Sequence, residues 1–237
     1  MKWAYGITTV SKRFDDLLPT TLDSLALGGF ENPHIFIDGC SEIDTPTALL
    51  SQYSVTCRRE QIRTFGNWYL GLLELYIRNP RADRYAMFQD DLVTYQNLRT
   101  YIEKVPYPDM GYCNLYTFPE NHTLKEDKDD YGWYLSNQKG KGAVALVFNR
   151  HAVTTLLQAD HMVMRPQDSH RGWRAIDGGI VSAMKKGGYK EFVHNPSLVQ
   201  HTGLVSVMQN KQHQKADSFR CETFNAEELL VRSSNLV

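Results

Sequence analysis

The stretch Arg84-Tyr85-Ala86-Met87-Phe88-Gln89-Asp90-Asp91 is a short apolar run that ends abruptly in an amide and two carboxylates. Its length and aromatic content read as a strand, and the polar residues at its end read as the strand's exit. Two upstream runs have the same design. Ala4-Tyr5-Gly6-Ile7-Thr8-Thr9-Val10 is strand-like and runs into Ser11-Lys12-Arg13, and His34-Ile35-Phe36-Ile37 runs into Asp38. Between them Leu17, Leu18, Leu22, Leu25 and Leu27 form an approximately 3.6-residue stripe that Gly28-Gly29 stops. A third strand is expected around Tyr53 to Thr56, and Trp68 to Ile77 carries apolar residues at helical spacing until Asn79-Pro80. Strand, helix, strand, helix, strand is the signature of an α/β fold with a mostly parallel central sheet flanked by helices. Ligands in such sheets bind beyond the carboxyl ends of the strands, so Ser11 to Arg13, Asp38 and Asp90-Asp91 are the residues to watch.

Farther along the pattern loosens. Residues 106–142 hold three prolines, four glycines and the charged run Lys125-Glu126-Asp127-Lys128-Asp129-Asp130. They read as loops over a cleft with one short strand near Gly111 to Thr117, and Glu120 to Lys141 is expected to close as a lid. Gly142 to Phe148 is a strong strand run that Asn149-Arg150 turns into a helix carrying Val153, Leu156 and Leu157. Another helix starts at Asp177 and stops at Gly187-Gly188, followed by a short strand at Glu191-Phe192-Val193. One domain over residues 1–206 is expected, with 207–237 a polar C-terminal extension or flap.

Composition sets outer limits. The chain has 237 residues, 42% hydrophobic and 22% charged, which suits an ordinary folded globule rather than a disordered chain. Twenty-six basic and 27 acidic residues give a formal net charge of −1, so strong whole-chain attraction to nucleic acid or anionic membrane is excluded and only a local patch is left open. The four cysteines form no CxxC element and read as reduced thiols. No apolar run approaches a membrane span and the N-terminus lacks a signal-peptide pattern, so a cytoplasmic location is expected. Without an export signal, the acceptor-like Asn121-His122-Thr123 has no glycosylation meaning.

Three positions carry the candidate chemistry. Adjacent Asp90 and Asp91 repel each other, which a divalent cation relieves; hard oxygen ligands at a strand tip suit Mg2+ or Mn2+ bridging to a diphosphate. A solvated acidic turn capping a helix from Leu92 onward is the other reading of the pair. His201, in the turn-rich Asn195-Pro196-Ser197-Leu198-Val199-Gln200-His201-Thr202-Gly203, could complete a metal shell with Asp91 or could be a packing histidine. His194 competes for the same role. Asp177 stands at a helix start beside Gly178-Gly179, either as an N-cap or as a base facing a substrate hydroxyl. Arg13 and Arg58-Arg59 follow strands and could meet phosphate. No HExxH, Walker loop or GxSxG elbow occurs, which argues against a zincin, a P-loop ATPase and an α/β-hydrolase.

In order along the chain, these pieces resemble a nucleotide-sugar-dependent glycosyltransferase of the GT-A fold. Tyr5 to Arg13 followed by Leu18 to Leu25 resembles the first strand and helix of that class. Gln89-Asp90-Asp91 resembles its DxD-type motif, and Gly142 to Arg150 with Asp177-Gly178-Gly179 resembles the acceptor-side half. Pro196 to Gly203 resembles a segment of the N-acetylglucosaminyltransferase IV group. The resemblance covers about residues 4–206. It implies Asp91 and His201 as metal ligands for Mn2+ or Mg2+ and Asp177 as the base of an inverting transfer. It also implies Thr9, Arg13, Asp38, Gln89 and Asp90 as contacts to a nucleoside-diphosphate sugar, with a UDP-linked donor expected. Gln89 departs from the motif, because the family's first acidic position is here a neutral amide. The implied partners are the nucleotide sugar and a glycan or other hydroxyl acceptor, with a nucleic-acid acceptor disfavoured by the charge balance. The rival readings are a sugar-phosphate nucleotidyltransferase, against which the absence of a glycine-rich pyrophosphate loop near the N-terminus argues, and a non-catalytic glycan-binding module.

Overall fold

The computed structural model describes residues 1–164, 176–203 and 214–233. The first half runs β1 (Trp3–Val10), α1 (Leu17–Leu27), β2 (His34–Asp38), α2 (Thr47–Gln52), β3 (Val55–Arg58), α3 (Arg63–Arg78) and β4 (Arg84–Gln89). The middle holds β5 (Leu92–Thr94), α4 (Leu98–Lys104), β6 (Gly111–Asn114), α5 (Pro119–His122), β7 (Gly132–Leu135) and β8 (Ala145–Asn149). After these come α6 (Arg150–Leu157), α7 (Asp160–Val163), α8 (Asp177–Lys186), β9 (Lys190–Asn195), β10 (Val199–His201) and α9 (Glu228–Ser233).

Eight strands form one sheet in the order β3-β2-β1-β4-β8-β6-β9-β7, while β10 and β5 make a separate antiparallel pair. Pairing is parallel from β3 through β4 and again between β6 and β9, and antiparallel elsewhere. The alternation of side chains explains the apolar runs. Ile35, Ile37, Ala86, Phe88, Ala145 and Val147 enter one core layer with Leu18, Leu22 and Leu25 of α1. Their neighbours Phe36, Tyr85, Met87, Leu146 and Phe148 enter the opposite layer with Trp68, Leu72 and Leu75 of α3 and Ile180 and Met184 of α8. A strand covered on both faces needs apolar residues at every position, which is why these runs do not alternate with polar ones.

Several expectations shift for identifiable reasons. α3 begins at Arg63 rather than near Trp68, because its first amides are capped from another strand: Ile62 N and Arg63 N each donate to the Asp38 carboxylate at 2.8 Å. No helix starts at Leu92. Residues 92–94 pair with β10, and the helix begins at Leu98. Much of the expected lid is built into the fold: β7 lies on β9 at the sheet edge, and Asn195 Nδ2 donates to the carbonyls of Lys128 and Asp130. Asn121 is buried, and its side chain accepts the Asn137 amide, so the asparagine of the acceptor-like triplet is part of the packing.

The expected boundary at 206 falls within 204–213, outside the described residues. Beyond it the polar extension does more than trail, for Ala216, Ala226 and Leu229 are buried in the first core layer. Asn225 bridges to Gln96, and Phe219 stacks on Tyr95 with ring centroids 4.7 Å apart. All four cysteines carry free thiols. No helix among the described residues is long and apolar enough to cross a membrane.

Candidate functional site

The parallel register of β1 and β4 aligns Thr8 with Gln89, which brings Thr9 beside Asp90 where both strands end. Thr9 Oγ1 donates to Asp90 Oδ2 at 2.5 Å. Arg13 follows β1 on the single turn Ser11–Arg13, and its Nη1 donates both to Asp90 Oδ1 and, at 2.8 Å, to Asp91 Oδ2. The two aspartates are each only 2% exposed. Burial pushes the Asp90 carboxyl up to about 6, with Asp91 adding to that rise and Arg13 and Thr9 opposing it. Thr21 of α1 fixes the backbone here. Its Oγ1 lies 2.9 Å from the carbonyls of Asp90 and Leu92 and accepts the Leu92 amide at 3.1 Å. Thr21 escaped the sequence reading because a threonine within a leucine stripe looks like an ordinary core residue.

His201 reaches the same corner from far along the chain. β10 runs antiparallel to β5 with His201 opposite Leu92, and Thr202 N donates to the Asp91 carbonyl at 2.8 Å. This register leaves His201 Nε2 3.6 Å from Asp91 Oδ2. Gly203 keeps the corner open, since a Cβ there would stand 2.9 Å from Asp91 Oδ2 and 3.0 Å from His201 Cε1. His194 takes no part. Its Nε2 pairs with Tyr101 Oη at 2.6 Å and its Nδ1 with the Pro196 carbonyl at 2.7 Å, and burial pushes its pKa down to about 4.

On the other side of β4, Gln89 Nε2 donates to the Ala143 carbonyl at 3.0 Å. The same residue's amide, with that of Gly142, donates to Asp177 Oδ2 at 3.3 and 2.9 Å. Asp177 is the first residue of α8, and its carboxylate also binds the loop ahead of β8. That tether accounts for β8 starting at Ala145 instead of Gly142. Gly142 itself has φ +73°, and a Cβ would come within 2.5 Å of the Tyr116 ring, so only glycine fits the turn. Gln89 and Asp177 are thus joined through one residue, Ala143.

Asp38 spends both carboxylate oxygens on the start of α3, although burial still raises its pKa above the ordinary aspartate value. Arg58 is tied to the same helix, with Nη2 on Glu74 Oε1 at 2.7 Å and Nε on Asn67 Oδ1 at 2.9 Å. The structure therefore gathers Thr9, Arg13, Asp90, Asp91 and His201 into one corner, and Gln89 with Asp177 into a second.

The first corner suits a divalent cation. No three His, Cys, Asp or Glu side chains among the described residues form a ready-made cage. Asp91 Oδ1, however, is buried without a hydrogen-bond partner among the described residues, beside the His201 imidazole. A carboxylate with one neighbouring imidazole would leave coordination positions for phosphate oxygens and water, the oxygen ligands that Mg2+ and Mn2+ favour.

Comparison with known proteins bears on the fold. No protein-family model matches the chain, and no curated protein sequence matches it. A crystal structure of GalNAc-T7 with UDP, GalNAc and Mn2+ superposes with a TM-score of 0.61 at 9% identity, over 94% of this chain and 46% of that one. The fold is GT-A-like. The chain spans about half the length of that protein. A nucleoside-diphosphate-sugar pyrophosphorylase from Vibrio cholerae RC9 superposes less well, with a TM-score of 0.46 at 11% identity over 84% of this chain and 95% of that one.

Proposed function

We propose that this protein is a metal-dependent glycosyltransferase that moves a sugar from a nucleoside-diphosphate sugar, UDP-linked, to a hydroxyl acceptor with inversion. The observation that carries the reading is the convergence of Asp91 and His201, 110 positions apart in the sequence, at the exit of β4 beside the Thr9–Asp90–Arg13 cluster. The GT-A-like fold supports it, since GalNAc-T7 carries UDP and Mn2+ on the same architecture.

Asp91 and His201 would hold the cation. When bound, that ion supplies neutralisation of the negative charge that grows on the leaving diphosphate. Asp90, anchored by Thr9, keeps Asp91 and Arg13 in register, and Arg13 offers a guanidinium to phosphate. Asp177 takes the acceptor hydroxyl's proton as its oxygen attacks the anomeric carbon from the face opposite the leaving group. The Gly142 and Ala143 amides hold one of its oxygens and so orient the carboxylate. Gln89 holds the carbonyl of Ala143, the residue that supplies one of those amides, which gives the neutral residue at the motif's first position a positioning task.

The likeness of Pro196 to Gly203 to the N-acetylglucosaminyltransferase IV group puts UDP-linked N-acetylhexosamines first in a donor panel. UDP-, GDP- and dTDP-linked sugars, each with and without Mn2+, are to be assayed for nucleoside-diphosphate release and the products weighed by mass spectrometry. Metal-dependent release from one donor class is expected. Pyrophosphate formed from a nucleoside triphosphate and a sugar 1-phosphate would replace the reading with a nucleotidyltransferase. Glycan retention without metal-dependent nucleotide binding would replace it with a binding module.

A further inference from the structure

We infer that Arg13 is the resident counter-charge of the Asp90–Asp91 pair and passes from those carboxylates to the donor's diphosphate when the divalent cation arrives, so that cation and nucleotide are taken up tightly only together. The inference rests on the proposed function and adds a rule for how that site loads.

Four observations lead to it. A single nitrogen, Arg13 Nη1, serves both carboxylates. Asp90 has both oxygens engaged, with Arg13 on Oδ1 and Thr9 on Oδ2, whereas Asp91 has Oδ2 engaged by Arg13 and Oδ1 buried without a hydrogen-bond partner among the described residues. A cation at Asp91 must therefore settle within a few ångströms of a positive guanidinium. Finally, the Arg13 side chain is 13% exposed while those of Asp90 and Asp91 are 3% and 2% exposed, so the arginine lies at the outer edge of the cluster. It extends from one short turn, whose Ser11 and Lys12 are exposed, ahead of the buried anchor Phe14.

Charge counting gives the consequence. Two carboxylates and one guanidinium carry a net charge of −1, a weak attraction for a divalent ion that also meets like-charge repulsion from Arg13. A diphosphate supplies negative charge that draws the guanidinium outward. The carboxylates are then left to balance the cation, while arginine and phosphate form the charge-assisted pair that planar guanidinium favours. Cation and nucleotide each strengthen the binding of the other, as linkage requires.

The test is a Mn2+ titration followed by the electron paramagnetic resonance of free Mn2+, with and without UDP, on wild type, Arg13→Gln, Asp90→Asn and the double variant. Wild type is expected to bind Mn2+ about tenfold more tightly in the presence of UDP. Arg13→Gln should bind Mn2+ alone about tenfold more tightly than wild type, with the UDP enhancement reduced to about threefold or less. If the uncompensated pair prevents Arg13→Gln from folding, the charge-balanced comparison remains. Asp90→Asn with Arg13→Gln should then bind Mn2+ about tenfold more tightly than Asp90→Asn alone. Equal Mn2+ affinity with and without Arg13, in proteins that do bind Mn2+, overturns the inference and leaves the proposed function standing. Absence of Mn2+ binding in every protein, with UDP present, overturns both.

Discussion

At the exit of β4, Asp90 and Asp91 are answered by side chains, Arg13, Thr9 and His201, whereas Asp177, beyond Gln89 and the Ala143 peptide, is answered by the backbone amides of a loop. The two corners use different currencies of electrostatics. Side-chain partners can be exchanged one at a time while the strands keep their places. Backbone partners stand where they do only because the 140–143 turn has one conformation, which Gly142 permits at φ +73°. The first corner is therefore tuned by residue identity and the second by the fold. That suits the proposed division, in which one corner would manage a cation and phosphate and the other would hold a base still.

The largest effect should come from the side-chain corner. Asp91→Asn keeps the shape and the contact to Arg13 but removes the charge. Loss of outer-sphere partners alone costs metal sites 10–100-fold, so Mn2+ affinity measured by calorimetry should fall at least roughly 100-fold, with metal-dependent transfer. Its thermal transition should stay close to wild type. Wild-type-like Mn2+ binding would break the assignment of this corner. Asp177→Asn should leave Mn2+ and UDP binding within about twofold and lower turnover roughly 100- to 10,000-fold, the range a positioned acid–base group supplies. A matching loss of Mn2+ affinity would show that the two corners act as one.

Gly142→Ala probes the backbone corner through the fold. The substitution meets both an unfavourable φ and the Tyr116 ring, so urea denaturation should show a loss of about 2 kcal/mol or more. Turnover should fall with it, and Mn2+ affinity should hold.

The smallest effect on either corner is expected from the frame beneath them. Burial places the His194 pKa at about 4, below the ordinary 6.5, so the unfolded chain takes up a proton at higher pH than the folded one. The neutral buried histidine's contribution is therefore fully present above pH 6.5 and is lost as pH falls toward 4, a span worth on the order of 3 kcal/mol. His194→Gln should flatten the acid limb of stability measured by urea titration at successive pH values. An unchanged slope would reject the burial account of this residue.

How much of this was legible before folding varies by element. The strands of the first half and their polar exits could be read directly, because a run such as Ile35 to Ile37, buried on both faces, must be apolar throughout. The start of α3 could not, since its cap is Asp38, on a different strand. β7 was hidden within a polar stretch, because its four residues Gly132–Leu135 are too few to set a pattern and the strand is defined by backbone pairing to β9 at the sheet edge. Asp91 was visible as half of an acidic pair, while Thr21 and the loop amides that hold Asp177 left no pattern to find.

From the sequence came the α/β order, the exits of β1, β2 and β4, and a short set of carboxylates and histidines able to do chemistry. These follow from local rules, namely which side chains a buried strand tolerates and which residues stop a helix. Folding chose between the two histidines, turned Asp38 from the cleft toward a helix start, and gave Asp177 its amide partners. Each of those outcomes depends on strand register and chain crossings that bring distant residues within a few ångströms, and no local window of sequence contains both members of such a pair.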